Sequence, residues 1–313
     1  MNTLIPFICL GAGALISWRG LPQAVLRGFD SLINIALVIL MLVIGLNIGM
    51  SPQVMDNLGR IGFNCVALSL LGIFASVFLV VICEKTVLPL EETKKRFTAD
   101  PEQESKGKES GFSPLLIIMP TCIAIGIIAG YFVLTDFPRD VLDWVLTISL
   151  VLLYVGVGVS LGENKSVFRY IRELGFRLLL LPLAIFVGSI LGGFLAGLIF
   201  RIPMAYAVIS ASGMGYYSLT GATMTDYFGI EAGTYGFIVN VIRDVLTIVL
   251  MPLLVRISKG SPIAAGASGC MDTMLVPVTR AVGTELGIVA LISGTILTFV
   301  VPVWLPISHV IFG

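Results

Sequence analysis

Long apolar segments make up most of this chain, and their length restricts the fold more than any other feature of the sequence. A transmembrane helix needs about 20 mostly apolar residues. Ordinary candidate spans lie near residues 3–18, 31–50, 61–83, 112–134, 141–161, 176–200, 230–256 and 284–312. Because 57% of the residues are hydrophobic and only 12% are charged, a soluble domain is excluded. Strand-length alternating segments are too few for a barrel, so we expect an all-α, polytopic protein embedded in the lipid bilayer.

Two further segments, 204–229 and 262–282, are rich in Gly, Ser, Thr and Met. Irregular backbone at membrane depth is tolerated where protein or a water-filled cavity surrounds it. Suppose that the N-terminus is outside and that both segments turn back. Among the basic residues considered, only Arg60, Arg139 and Arg201 then lie outside, as the positive-inside rule favours. We therefore expect about eight transmembrane helices plus two re-entrant hairpins or broken helices, with both termini periplasmic. Ten full spans are the alternative.

An internal repeat is visible in the first two thirds of the chain. The sequence Gly-Leu-Asn-Ile-Gly around Asn47 recurs as Gly-Val-Ser-Leu-Gly around Ser160, 113 residues later. One copy contains three helices, an odd number, so two successive copies run in opposite directions across the membrane. Inverted repeats of this kind are typical of transporters, although glycine-rich helices can also resemble one another by composition alone.

The repeat divides the chain into four parts that form one integral membrane unit. We expect residues 1–83 to form the first three-helix repeat and residues 112–203 to form the second. Residues 84–111 combine mixed charge with helix breakers, so we expect them to form a polar cytoplasmic loop between the two repeats. Residues 204–313 then form a core that contains both broken segments.

Three ionisable residues interrupt the apolar sequence of this core. Asp244 lies inside an ordinary span and Asp272 inside the second broken segment. A charged acid at the bilayer centre costs about 2.5–3.5 kcal/mol on insertion scales, so such residues usually face a cavity. Arg243 points about 100° away from Asp244 around an ideal helix, which favours a partner elsewhere, such as Asp272 or a substrate carboxylate. Mutual neutralisation of the three residues in a packed lock is the alternative.

Small and polar residues near the acids complete a candidate site. The substrate- and proton-binding candidates are Asp244, Asp272, Arg243, Asn240, Ser212, Gly213, Ser268, Gly269, Tyr216, Asn47 and Ser160. Helix packing is the alternative role for Asn47 and Ser160, and hairpin packing is the alternative for Tyr216. The five cysteines lack metal-ligand spacing, so no metal and no cofactor are predicted. Because basic and acidic residues balance, nucleic acid is not predicted as a partner, and a homo-oligomer is compatible with the sequence.

Several motifs carry a family resemblance. The run SASGMGYYSLTG (Ser210–Gly221), the Arg243-Asp244 pair and ASGCMD (Ala267–Asp272) resemble the LysO-type lysine exporters of bacterial inner membranes. The resemblance implies secondary active export of L-lysine, with the two intramembrane acids as essential transport residues, and kinship to inverted-repeat cation–proton antiporters. The chain departs from the family pattern where Asp244 replaces an expected Glu and Tyr216 replaces an aromatic that is often Trp.

The residues suggest how lysine and protons are coupled. L-lysine has two ammonium groups and a carboxylate, which two acids, an arginine and helix ends can complement. A desolvated acid holds its proton more tightly and a nearby cation loosens it. We therefore expect Asp244 and Asp272 to alternate between protonated and cation-bound states, which couples lysine export to proton entry. A sodium/proton or other cation antiporter is the alternative function.

An enzyme is not predicted, although one motif raises the question. Gly266–Gly269 matches the GxSG pattern of rhomboid-type intramembrane proteases, and the chain has one histidine, His309. A general base must come within hydrogen-bond reach of its serine, whereas His309 belongs to the last helix and Ser268 to a broken segment. A second enzyme hypothesis pairs Asp244 with Asp272 as an aspartyl protease dyad, but the GxGD pattern of intramembrane aspartyl proteases is absent from the sequence.

Overall fold

The computed structural model describes residues 4–18, 23–87, 115–134, 138–163 and 176–312, and these residues form helices without a strand. The helices are α1 Leu4–Trp18, α2 Gln23–Gly49, α3 Pro52–Asp56, α4 Leu58–Thr86, α5 Leu115–Phe132, α6 Arg139–Glu163, α7 Leu180–Phe200, α8 Met204–Ser212, α9 Tyr217–Phe228, α10 Ile230–Ile257, α11 Ser261–Gly266, α12 Leu275–Val282 and α13 Thr284–Phe312. Short 3₁₀ turns, Phe176–Leu179 and Ala267–Met271, precede α7 and follow α11.

The helices fit the predicted membrane spans. Among the described residues, five helices are long and apolar enough to cross a membrane. Shorter apolar helical segments form parts of α1, α2 and α5. Large apolar side chains such as Phe63, Leu198 and Val249 are exposed on the outside of the bundle, as lipid contact requires. The all-α, polytopic fold class is therefore confirmed. Helix α4 continues through Glu84 to Thr86, and residues 88–111 of the predicted loop lie outside the described residues.

The two halves of the repeat pack against each other with reciprocal contacts. Gly13 of α1 lies against Gly158 of α6, and Gly45 of α2 lies against Gly126 of α5; a Cβ on any of these glycines would collide with the facing backbone. Positions 13 and 126 are equivalent in the repeat, as are 45 and 158. The two contacts are therefore the same contact seen twice, which is what an inverted repeat with a pseudo-two-fold axis produces.

The third helices of the two repeats pair with each other on this axis. The Ser76 hydroxyl of α4 and the Ser189 hydroxyl of α7 are 3.0 Å apart, and these two positions are also equivalent in the repeat. Gly188 and Gly192 of α7 allow close backbone approach to Ser76 and Gly72 of α4. Small residues at such interfaces let transmembrane helices pack closely.

Packing therefore divides the protein into two modules that do not follow the sequence repeats. Helices α1, α2, α5 and α6 pack mainly against one another and form what we term the scaffold module. Helices α4 and α7 pack instead with α8 to α13, and this second group is termed the hairpin module. Each repeat thus contributes its first two helices to one module and its third helix to the other.

The first broken segment is a re-entrant hairpin formed by α8 and α9. Near the start of α8, Tyr206 lies against Tyr235 with ring centroids 5.9 Å apart, whereas Ser210 reaches Asn240, farther along α10. Helix α9 runs the other way, because its later residue Thr225 approaches Gly233 near the beginning of α10. Both ends of the hairpin therefore lie at the same end of α10.

The second broken segment is a re-entrant hairpin from the opposite end. Helix α11 begins just after α10 ends, and α12 ends where α13 begins. The far end of α13 packs on the exit of the first hairpin, because the His309 ring stacks on Tyr227 with centroids 4.2 Å apart. The start of α13, and with it the end of α12, consequently lies at the other end of the bundle. The two hairpins therefore enter the bundle from opposite ends.

Candidate functional site

The tips of the two hairpins are in direct contact in the middle of the bundle. The backbone N–H and the hydroxyl of Ser268 both donate to the Met214 carbonyl, at 3.0 and 2.7 Å. The tips have unusual backbone: Met214 and Ala267 have φ values of 53° and 46°, and Gly215 has 96°. Non-glycine residues with positive φ store about 1–3 kcal/mol each and persist where the surroundings hold them. The surrounding structure therefore holds the two tips in this backbone conformation.

Asn240 of α10 fixes the tip of the first hairpin. Its side-chain oxygen accepts a hydrogen bond from the Gly215 N–H at 2.7 Å. Its amide nitrogen donates to the carbonyls of Ser210 and Gly236, at 3.0 and 2.7 Å. Asn240 is fully buried, so these bonds also satisfy polar groups that would otherwise be costly. Its position is that of a residue that shapes the tip.

Ser212 and Gly213 lie at the back of the same tip. The Ser212 hydroxyl accepts a hydrogen bond from the Trp304 indole N–H at 2.8 Å, which ties the hairpin to α13. A Cβ on Gly213 would lie 2.5 Å from the Thr220 hydroxyl and 2.7 Å from the Asn240 amide. Gly213 is therefore required for close packing of the tip.

Arg243 is buried between the two hairpins and the paired third helices. Its guanidinium donates to the carbonyls of Ala265, Ala264 and Ala211 at 3.0, 3.0 and 3.4 Å, and to the hydroxyls of Ser189 and Ser76 at 3.0 and 3.5 Å. These carbonyls belong to the last turns of α11 and α8, where the helix dipole favours a cation. Arg243 therefore donates to the helix C-termini next to the two hairpin tips, and not to Asp272.

Thr273 connects the two acids. Its hydroxyl donates to Asp244 Oδ2 at 3.1 Å, and its backbone N–H donates to Asp272 Oδ1. Asp244 is only 1% exposed, and its Oδ1 has no hydrogen-bond partner among the described residues. This oxygen lies where the tips meet, since Cβ atoms on Gly215 and Gly269 would approach it to 3.1 and 3.3 Å. The two carboxylates thus belong to one polar cluster.

A cavity of about 190 Å³ lies between the hairpin tips and the scaffold module. Its polar side is formed by the tips and by Thr298 of α13, and its apolar side by α2 and α6. The lining residues are Ile33, Leu37, Leu153, Gly156, Val157, Gly215, Tyr216, Tyr217, Ser218, Ser268, Gly269, Met271, Asp272, Thr273, Thr298 and Phe299. Asp272 is exposed to this space. It is the only carboxylate in this lining, which contains no Lys or Arg among the described residues.

The structure therefore separates the candidate residues into two groups. Tyr216, Ser268, Gly269 and Asp272 line the cavity, whereas Asn240, Arg243 and Asp244 lie behind the tips. Sequence reasoning missed Thr273, Ser218 and Thr298, because isolated hydroxyl residues beside a motif give no signal until the fold brings them to one cavity.

The remaining candidates lie elsewhere or outside the described side chains. Asn47 of α2 is buried, and its amide nitrogen has no hydrogen-bond partner in the described part of the chain. Ser160 is in α6, and its side chain is outside the described residues. His309 is stacked on Tyr227, while the Ser268 hydroxyl donates to Met214, so the serine and the histidine do not form a catalytic pair.

The fold and the site together define a class: a polytopic helical membrane protein whose opposed re-entrant hairpins meet beside a cavity lined by a carboxylate. The family model described as lysine exporter LysO matches residues 7–94 and 121–309. Because this match covers most of the chain, the protein belongs to the lysine exporter LysO family. Membership in an exporter family and the apolar helices support a multi-pass inner-membrane protein.

Individual relatives agree with the family assignment. The chain is similar to lysine exporter LysO of Escherichia coli (strain K12), with 31% identity over 155 residues, which are 50% of this chain and 52% of that protein. The match thus spans about half the length of this relative. A Haemophilus influenzae protein whose name also contains the words lysine exporter is 24% identical over 187 residues, which are 59% of this chain and 93% of that protein. No solved structure matches the chain significantly.

Proposed function

We propose that the protein is a secondary active transporter that exports L-lysine from the cytoplasm in exchange for protons. The observation that carries this proposal is the cavity between the two modules, whose lining combines one exposed carboxylate, Asp272, with hydroxyl groups and tyrosines. A site with a single acid and no basic side chain in its described lining attracts cations. The family and the names of the relatives supply lysine as the cation.

Asp272 is proposed to bind either a lysine ammonium group or a proton. Because binding of one excludes the other, a single carboxylate can exchange the two across the membrane. Asp244 is the second acid of this mechanism. Its Oδ1, which has no hydrogen-bond partner among the described residues, lies at the contact between Gly215 and Gly269, and Thr273 connects Asp244 to Asp272. A change of charge on one acid is thereby felt by the other.

The remaining site residues have supporting roles in this proposal. Asn240, Ser212 and Gly213 hold the first hairpin tip in shape, and Arg243 holds the ends of both hairpins. The cavity lies where the hairpin module faces the scaffold module, so a movement of one module against the other would open the cavity to alternate sides. Asn47 and Ser160 stay predicted contributors on the scaffold.

The test is flux of labelled L-lysine into proteoliposomes under an imposed pH gradient. Wild-type protein is expected to give lysine flux above that of empty liposomes, and Asp272→Asn and Asp244→Asn are expected to abolish it. Asp143→Asn is the matched control, because it removes a carboxylate from an exposed position on α6. Absence of lysine flux in the wild type refutes the proposal, and sodium flux in its place would establish the cation-antiporter alternative.

A further inference from the structure

The N-terminal end of α9 faces the cavity and offers polar groups that the proposed role of Asp272 does not use. The N-cap residue Tyr216 and the first two helical residues, Tyr217 and Ser218, all line the cavity. The first hydrogen bond of the helix runs from the Thr220 N–H to the Tyr216 carbonyl, so the Ser218 N–H has no helical acceptor. Tyr216 provides no side-chain cap. Helix α9 therefore presents the positive end of its dipole toward the cavity.

The environment of Ser218 provides a second, independent observation at this helix end. The residue is only 5% exposed, and it lines the cavity. Within the described part of the chain, its hydroxyl donates no hydrogen bond. Buried hydroxyl groups are usually hydrogen-bonded, and the neighbouring Thr220 and Thr223 both have partners. A hydroxyl that has no protein partner in the described residues and is reached from the cavity at a helix N-terminus is suited to bind an anionic group.

The charges of the cavity show what that ligand group is. Lysine carries a carboxylate in addition to its ammonium groups, and the described lining provides no Lys or Arg to meet it. Arg243 is not available for this role, because its guanidinium is engaged by the Ala211, Ala264 and Ala265 carbonyls behind the tips. In the described lining, the N-terminal end of α9 is the element with a positive partial charge that faces the cavity.

We propose that the α-carboxylate of the substrate binds at the N-terminus of α9, to the Ser218 hydroxyl and backbone N–H, while Asp272 binds an ammonium group. This inference rests on the proposed function and extends it, because it makes Ser218 a specificity-determining residue for amino acids over simple amines. Asp244 does not line the cavity, so the substrate carboxylate binds on the cavity face of α9 and an ammonium group lies at Asp272.

The experiment is counterflow of labelled L-lysine in proteoliposomes, with competition by L-lysinamide and by cadaverine. L-lysinamide replaces the carboxylate with a neutral amide, and cadaverine lacks it. Hydrogen bonds to a charged group contribute enough that both competitors should be at least about tenfold weaker than L-lysine in the wild type. Ser218→Ala should weaken L-lysine about tenfold and leave L-lysinamide unchanged, so that the preference shrinks.

The controls separate the carboxylate site from the transport function. Ser210→Ala removes a hydroxyl from the same hairpin that does not line the cavity, and it should keep the preference for L-lysine. Ser218→Thr keeps the hydroxyl and should also retain the preference. If L-lysine is transported but L-lysinamide and cadaverine compete equally well in the wild type, the carboxylate site is refuted and the proposed function stands. If L-lysine shows no counterflow, the proposed function fails and the inference fails with it.

Discussion

Arg243→Lys tests whether the guanidinium holds the two hairpins together or binds substrate. The substitution keeps the charge but removes the planar fork that reaches several acceptors at once. A lysine at this position can reach only some of these acceptors. The Ala211 carbonyl keeps the Met214 N–H as a donor, so we expect the carbonyls of Ala264 and Ala265 to be the two that lose their side-chain donor. A buried, unsatisfied polar group costs about 1–3 kcal/mol, and the expected loss of stability for two such groups is therefore about 2–6 kcal/mol.

The assay is thermal unfolding of purified protein in detergent, followed by intrinsic fluorescence. At about 2 °C per kcal/mol for a chain of this size, Arg243→Lys should lower Tm by about 4–12 °C. Arg177→Lys, at an exposed arginine, is the matched control, and it should change stability by less than about 0.5 kcal/mol. The relative competition by L-lysine and L-lysinamide should not change in Arg243→Lys.

Two results would refute this account of Arg243. A Tm within about 1 °C of the wild type would mean that the hydrogen bonds to the hairpin ends contribute little to stability. An unchanged Tm together with a lost preference for L-lysine over L-lysinamide would assign Arg243 to the substrate carboxylate instead, and would also contradict the role proposed for Ser218.

Three further predictions concern the tips, the last helix and the topology. Gly215→Ala should reduce lysine flux and lower Tm, because the position has φ of 96° and the added Cβ would lie 3.1 Å from Asp244 Oδ1; Gly11→Ala, where the new Cβ meets nothing within 4 Å, should behave like the wild type. His309→Ala should leave lysine flux intact and cost about 1 kcal/mol from the lost ring stacking, and loss of flux would revive a direct role for the histidine. In Lys259→Cys, the new thiol should be labelled only from the cytoplasmic side if both hairpins are re-entrant in the predicted orientation. Labelling from outside would contradict that orientation.

Much of the fold could be predicted from the sequence because its signals are local. Apolar length indicates the spans, and the Ala-Ser-Gly tips mark the broken segments. The equivalence of Gly13 with Gly126 is visible only once the repeat has been aligned. The assignment of the third helices to the hairpin module could not be predicted, because it depends on the Ser76–Ser189 pairing across 113 residues.

The candidate site was predictable in its acids but not in its geometry. Asp244 and Asp272 are conspicuous because charge in apolar sequence is costly. Their link through Thr273 depends on the contact between two hairpins, and so does the placement of Arg243 at the helix ends. Sequence spacing along one helix carries no information about a partner on another helix, so Arg243 could not be distinguished from a substrate-binding arginine.

The exchange of lysine for protons at Asp272 is the central claim, and proton movement driven by lysine tests it most directly. Proteoliposomes are loaded with a pH-sensitive dye, and an L-lysine gradient is imposed without a pH gradient. The account predicts that wild-type protein moves protons against the direction of lysine flow, that Asp143→Asn does the same, and that Asp272→Asn moves neither. Lysine flux that moves no protons in the wild type, or proton movement that survives in Asp272→Asn, would contradict it.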